Sequence, residues 1–97
     1  MPAAHRDGDA RTCGATTVVV GQSVTYVDGR LWSVAGDINT DGDGMLIPSF
    51  TGVFINGLPV IVNTPDDAKP DLKCPILNFD HCEPKTAGGS GSTFAYG

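Results

Sequence analysis

Basic residues are scarce in this sequence: six Lys and Arg stand against eleven Asp and Glu, for a formal net charge of −5 over 97 residues. A nucleic-acid binder needs clustered cations to displace phosphate counterions, so this balance argues against that class of partner. Long apolar runs are missing too. None approaches the ~18 residues that cross a bilayer as a helix, and Met1-Pro2-Ala3-Ala4-His5 lacks the basic-then-apolar order of a secretory leader, so neither a span nor Sec export is expected. Charged residues are only 18% of the chain, whereas glycine and proline number thirteen and seven, a balance that favours turns and short strands over helices. Cysteine is present three times, at Cys13, Cys74 and Cys82. An odd number without a leader favours thiolate or metal chemistry over a disulfide framework, with a Cys74–Cys82 disulfide as the alternative. A single domain of this length buries little apolar surface, so a brace beyond the core is expected.

What is present is a repeat. Gly8-Asp9 recurs as Gly36-Asp37 and Tyr26-Val27-Asp28-Gly29 as Phe54-Ile55-Asn56-Gly57, each 28 positions on, with Val18-Val19 falling on Leu46-Ile47 and Gly14 on Gly42. A third copy, stretched by 12 residues within 65–84, ends in Thr93-Phe94-Ala95-Tyr96-Gly97. Thr16-Thr17-Val18-Val19-Val20, Ser23-Val24-Thr25-Tyr26-Val27, Met45-Leu46-Ile47 and Thr51-Gly52-Val53-Phe54-Ile55 read as strands. Asp28-Gly29 and Asn56-Gly57 are hairpin turns because those pairs tolerate positive φ. Lone hairpins are marginal in water, so the spacing predicts a small all-β domain over 1–97, in which three hairpin repeats (about 1–35, 36–64 and 65–97) pack with pseudo-threefold symmetry. Gly97 followed by Pro2-Ala3-Ala4 would reproduce the step Gly57-Leu58-Pro59-Val60, so the repeats are expected to close on one another.

The ordered pieces Pro2-Ala3-Ala4, Gly8-Asp9, Cys13-Gly14, Gly36-Asp37, Val53-Phe54-Ile55-Asn56-Gly57-Leu58-Pro59, Cys74-Pro75 and Gly89-Ser90 with Phe94-Ala95-Tyr96-Gly97 resemble the PAAR-repeat family over nearly the whole chain. The chain departs from that pattern where His5 stands in place of the family's Arg, and where Pro65-Asp66-Asp67 replaces a third Gly-Asp. The resemblance implies a pointed cone, monomeric when free, that caps a trimeric β-helical spike with one copy per three spike chains. It implies a metal near the apex, zinc first and iron second. The implied role is that of a structural, non-catalytic tip that sharpens the spike and makes transient contact with the target membrane during puncture. The setting is the baseplate of a contractile-tailed virion or, alternatively, a type VI secretion spike; a chain without an appended toxin fits the virion somewhat better.

A tapering end has little core, and a structural metal can take its place. Zinc takes four Cys or His donors. Cys13, Cys74 and His81 stand where the resemblance places ligands, with Cys82 as the fourth donor and His5 or Asp41 as alternatives, Asp41 being the residue the 28-residue spacing maps onto Cys13. Other motifs carry less. The run from Asp37 to Gly44 resembles the opening of a calcium loop, the basis for an alternative reading as a free-standing, calcium-dependent binding module. Its twelfth position, however, is Pro48, where an acidic ligand is needed. Cys13 or Cys74 with His81 could be drawn as a thiol–imidazole pair, but a domain this small has little room for the pocket and oxyanion donors an enzyme requires. The segment Gly88-Gly89-Ser90-Gly91-Ser92 lacks the lysine of a phosphate loop and reads as a turn. Trp32 reads as a packing residue.

Overall fold

The computed structural model describes residues 2–49, 51–74 and 79–94. It is a small all-β structure of short antiparallel pairs with no α-helix among the described residues; the one helical turn is a 3₁₀ segment, Phe79–Cys82. Among the described residues there are six strands: β1 (Thr17–Val18), β2 (Tyr26–Val27), β3 (Arg30–Leu31), β4 (Ile38–Asn39), β5 (Phe54–Ile55) and β6 (Leu58–Pro59). Hairpin β2–β3 pairs Tyr26 with Leu31 and Val27 with Arg30, and hairpin β5–β6 pairs Phe54 with Pro59 and Ile55 with Leu58. Both turns have the two successive positive φ angles that the sequence pairs anticipate: 53° and 80° at Asp28-Gly29, 55° and 78° at Asn56-Gly57. Strands β1 and β4 pair Thr17 with Asn39 and Val18 with Ile38, and an isolated antiparallel bridge joins Ala3 to Phe94. The expected Ala95-Tyr96-Gly97 turn lies outside the described residues.

The strands are shorter than the sequence suggests, and the reason is chemical. In 16–20 the ladder stops after Val18 because the next amides bond to carboxylates: Val19 N–H to Asp7 at 2.9 Å, and the Val20 and Gly21 N–H groups to Asp37 Oδ1, each at 2.9 Å. In 23–27 the Gln22 side-chain oxygen takes the Val24 and Thr25 N–H groups, leaving only Tyr26–Val27 to pair. Side chains satisfy part-buried amides that a wider sheet would otherwise serve.

Backbone hydrogen bonds instead close two rings across the middle of the chain. In the first, Ser33 N–H donates to His5 C=O (2.8 Å), Ile61 N–H to Ser33 C=O (2.9 Å) and His5 N–H to Ile61 C=O (3.1 Å). In the second, Asp7 donates to Leu31, Ala35 to Pro59 and Asn63 to Ala3, each at 2.8 Å. Bridges Arg6–Trp32, Val34–Val60 and Ala4–Val62 run alongside. Three buried carboxylates brace the turns beside the rings: Asp9 accepts the Arg6 N–H (2.8 Å), Asp37 the Val34 N–H (2.8 Å) and Asp66 the Val62 N–H (3.1 Å). Asp66 therefore does in the Pro65-Asp66-Asp67 segment what the Gly-Asp aspartates do elsewhere.

Apolar burial is divided rather than pooled. Val34, Ile55 and Val60 pack with Trp32 and Leu58, while Leu46, Ile61 and Ala68 form a second cluster. Trp32 also donates its indole N–H to Ile61 C=O at 3.0 Å, as expected of a packing residue. Close approach fixes Gly21, where a Cβ would lie 2.5 Å from the Val34 side chain. The Gly-Ser segment packs on the N-terminal strand, with Ser90 N–H donating to Ala4 C=O (2.8 Å). Ser90 and Ser92 hydroxyls donate to Asp28 at the first hairpin tip.

Candidate metal centre

Three turns bring the chemistry together. Each opens with a residue whose C=O accepts an N–H three positions on: Gly14 to Arg11 (3.1 Å), Gly42 to Asn39 (3.1 Å) and Cys74 to Asp71 (3.2 Å). In the first two, left-handed glycines make the bend, with φ of 92° at Gly14 and 87° at Gly42. Cys13 and Asp41 occupy the same place in those turns, two residues past Arg11 and Asn39. The third turn is longer and contributes its opening residue, Asp71, together with His81 from the 3₁₀ segment, whose C=O accepts the Asp71 N–H at 2.8 Å.

Donor atoms of Cys13, Asp41, Asp71 and His81 lie within 4.8 Å of one another, forming a group able to hold a metal ion. His81 Nδ1 is 2.9 Å from Asp71 Oδ2 and 3.3 Å from Asp41 Oδ2, and the Cys13 thiol points at Asp71 Oδ2 from 3.8 Å. Asp71 is oriented by Asn39 Nδ2 (3.0 Å) and by the Lys73 N–H (2.8 Å), while Lys73 Nζ pairs with Asp41 at 3.1 Å. Burial by itself would raise the Asp71 carboxyl, but hydrogen bonds from His81, the Lys73 N–H and Asn39 outweigh it and hold the group below its ordinary value. Burial, reinforced by the neighbouring Asp71 and Asp41 carboxylates, pushes the Cys13 thiol up. That is the opposite of the depressed thiol a cysteine nucleophile requires. One thiol, one imidazole and two carboxylates fit a four-coordinate divalent cation, whose charge would offset the two acids and favour the thiolate.

The structure brings Cys13 and His81 together as the sequence suggests, and adds Asp41, one of the two alternatives to Cys82 as fourth donor. It places Cys74 and Cys82 elsewhere in the scheme: they are joined in a disulfide with Cα atoms 4.8 Å apart, so in this state neither offers a thiolate. His5 is not available as a donor. It is fully buried, with Nδ1 2.7 Å from Gly88 C=O and Nε2 2.6 Å from the Thr17 hydroxyl. Asp71 escapes sequence reading because the insertion in the third copy breaks the 28-residue spacing just where it would align Asp71 with Arg11 and Asn39. The calcium-loop resemblance also dissolves, since the Asp37 carboxylate is taken by the Val34, Val20 and Gly21 N–H groups and the Ser33 hydroxyl. An open groove of about 370 Å³ lies elsewhere, lined by residues 20–24 and Asn56, none of them in the metal group.

No family model, no curated protein and no solved structure matches the chain.

Proposed function

We propose that this chain is a structural tip: three pseudo-threefold hairpin units forming a cone that caps a trimeric β-helical spike of a contractile tail, with one metal ion, zinc by preference, pinning the pointed end. The observation that carries this reading is the pair of closed backbone rings. Their donors, His5, Ser33 and Ile61 in one and Asp7, Ala35 and Asn63 in the other, succeed one another at the same 28-residue interval as the sequence repeat. A monomer with three quasi-equivalent units can meet each chain of a three-chain prism with a similar face and cover its strand edges.

Two further features support it. Three antiparallel pairings each expose one aromatic at the corresponding position: Tyr26 (61% exposed), opposite Leu31; Phe54 (53%), opposite Pro59; and Phe94 (46%), opposite Ala3. Three large exposed rings on so small a domain fit a surface that is covered in use. The three turns, by contrast, converge on donors within 4.8 Å, as a narrowing end with little core requires. Bound zinc would be a structural cross-link between the turns, held by Cys13 and His81 with the Asp41 and Asp71 carboxylates while Cys74 and Cys82 are paired, and no catalytic step is assigned to it. The setting is the tip of a virion baseplate or, equally in chemistry, of a secretion spike.

Replacing Tyr26, Phe54 and Phe94 together by serine is expected to lower the unfolding free energy by about 1–3 kcal/mol in total, since each residue is about half exposed and loses one cross-strand contact. Binding to a trimeric β-helical spike should fall by on the order of a hundredfold or more, as loss of interface aromatics does. Unchanged spike binding in a pull-down or by calorimetry would remove this surface from the account.

A further inference from the structure

The third turn differs from the other two in one respect that bears on the metal group. The first two close within four residues, Arg11 N–H to Ala15 C=O (2.8 Å) and Asn39 N–H to Asp43 C=O (3.0 Å). The third closes only from Asp71 to His81, and its neck is made of two of the four metal donors. The disulfide is set at that neck: Cys82 follows His81 directly, and the Cys74 N–H donates to Asp71 C=O at 3.2 Å. In the metal-free chain a long loop without this tie would lose the juxtaposition of Asp71 and His81 to chain entropy, an order that a bound metal would have to restore.

We propose that the Cys74–Cys82 bond is a redox switch that decides which donors the turns offer, and hence which class of divalent cation they hold. The proposal rests on the metal-holding reading of the turns, not on the spike. With the bond formed, the donors are the Cys13 thiolate, His81 and the carboxylates of Asp41 and Asp71, a mixed set that also accepts harder ions such as manganese(II). A dithiol reductant breaks the S–S bond; two electrons and two protons pass to Cys74 and Cys82, and the reductant leaves as its own disulfide. The neck then carries two thiols beside His81. With Cys13 they make three sulfurs and one imidazole, the set that structural zinc favours, and their protons pass to solvent as the metal binds. Reduction therefore exchanges carboxylate for thiolate donors and turns the site from a mixed one into a zinc site.

The test uses the full chain, either oxidised or treated with a dithiol that is then removed without air, with zinc affinity read by competition against a chromophoric chelator and cobalt(II) read by its thiolate charge-transfer band. Reduction should tighten zinc binding by on the order of a hundredfold, lower the preference for manganese and raise the cobalt band from one thiolate to three. The double variant C74S/C82S, which lacks both the tie and the two thiols, should bind zinc no more tightly than the oxidised chain and should not respond to the dithiol. Equal zinc affinity in the two states, with a one-thiolate cobalt band in both, would overturn the switch and leave the metal site standing. Failure of both states to take zinc or cobalt would overturn the metal reading itself, and neither result depends on the spike. The comparison of the two wild-type states needs no substitution, so a misfolded variant would not blunt it.

Discussion

Replacing Arg11 with methionine is expected to cost about 4–6 kcal/mol, enough to leave much of so small a domain unfolded at room temperature. The guanidinium is only 2% exposed, and among the described residues it makes no ion pair. It spends its donors on neutral oxygens from distant parts of the chain: Nε on the Thr17 hydroxyl (2.6 Å), Nη1 on the carbonyls of Gly44 (2.9 Å) and Pro84 (2.8 Å), and Nη2 on those of Ile38 (3.2 Å) and Asp37 (3.4 Å). A planar fork reaches all of these at once, and removing it strands several buried acceptors at about 1–3 kcal/mol each. Burial lowers the Arg11 pKa to about 10, opposed by Cys13, Asp37 and Asp71, so the group remains a cation at neutral pH. Lysine should recover only part of the loss, since an ammonium cannot serve five directions. Urea unfolding of the two variants reads this directly. A loss below about 1 kcal/mol for methionine would show that the guanidinium is not the strut described here.

A second large effect is expected from acid. His5 lies at the first backbone ring with no exposed surface. A carbonyl can only accept, so Nδ1 carries the proton donated to Gly88, and Nε2 accepts from the Thr17 hydroxyl, which in turn accepts from Arg11. Protonating Nε2 would set a donor against that hydroxyl and a second cation beside Arg11. Burial is the main cause that lowers the His5 pKa to about 4, with Arg11 adding to it and the Gly88 hydrogen bond, Asp9 and Asp66 opposing.

An unfolded histidine titrates near 6.5, so between pH 6.5 and 4 the unfolded chain takes up a proton that the folded chain refuses. Stability from this group is therefore complete above about pH 7, declines as pH falls through that window, and is lower by about 3 kcal/mol at its foot. Asp9 and Asp71 are both held below their ordinary value of 3.8, so their contributions fall away mainly below about pH 4 and touch only the acid end of the window. Chemical denaturation from pH 7.5 to 4 should show the decline in the wild type and a flatter profile in His5→Gln. Parallel profiles would contradict the assignment to His5.

The sequence reading reached the parts of the fold that are written in local chemistry. Asp28-Gly29 and Asn56-Gly57 turn where positive φ is needed, and the 28-residue interval between Gly8-Asp9 and Gly36-Asp37 reappears as the interval between ring donors. It overstated the strands, because whether an amide in 16–20 meets another strand or the carboxylate of Asp37 is settled only once distant residues are in place. At the metal group, Cys13 and His81 stood out by residue type. Asp71 did not, since an aspartate in a stretched repeat carries no mark of its own. The Cys74–Cys82 bond was one of two readings that residue types allow, and spacing alone does not choose between paired thiols and ligands. Arg11 was invisible for a related reason: its partners are mainly backbone carbonyls, which every sequence possesses.

The most direct test of the central claim is native mass spectrometry of this chain mixed with a trimeric β-helical spike from a contractile tail. The account predicts a complex of one copy per three spike chains, unaffected by an excess of this chain, because three quasi-equivalent units in one chain would meet three subunits. Three copies per trimer, or no complex at all, would contradict it.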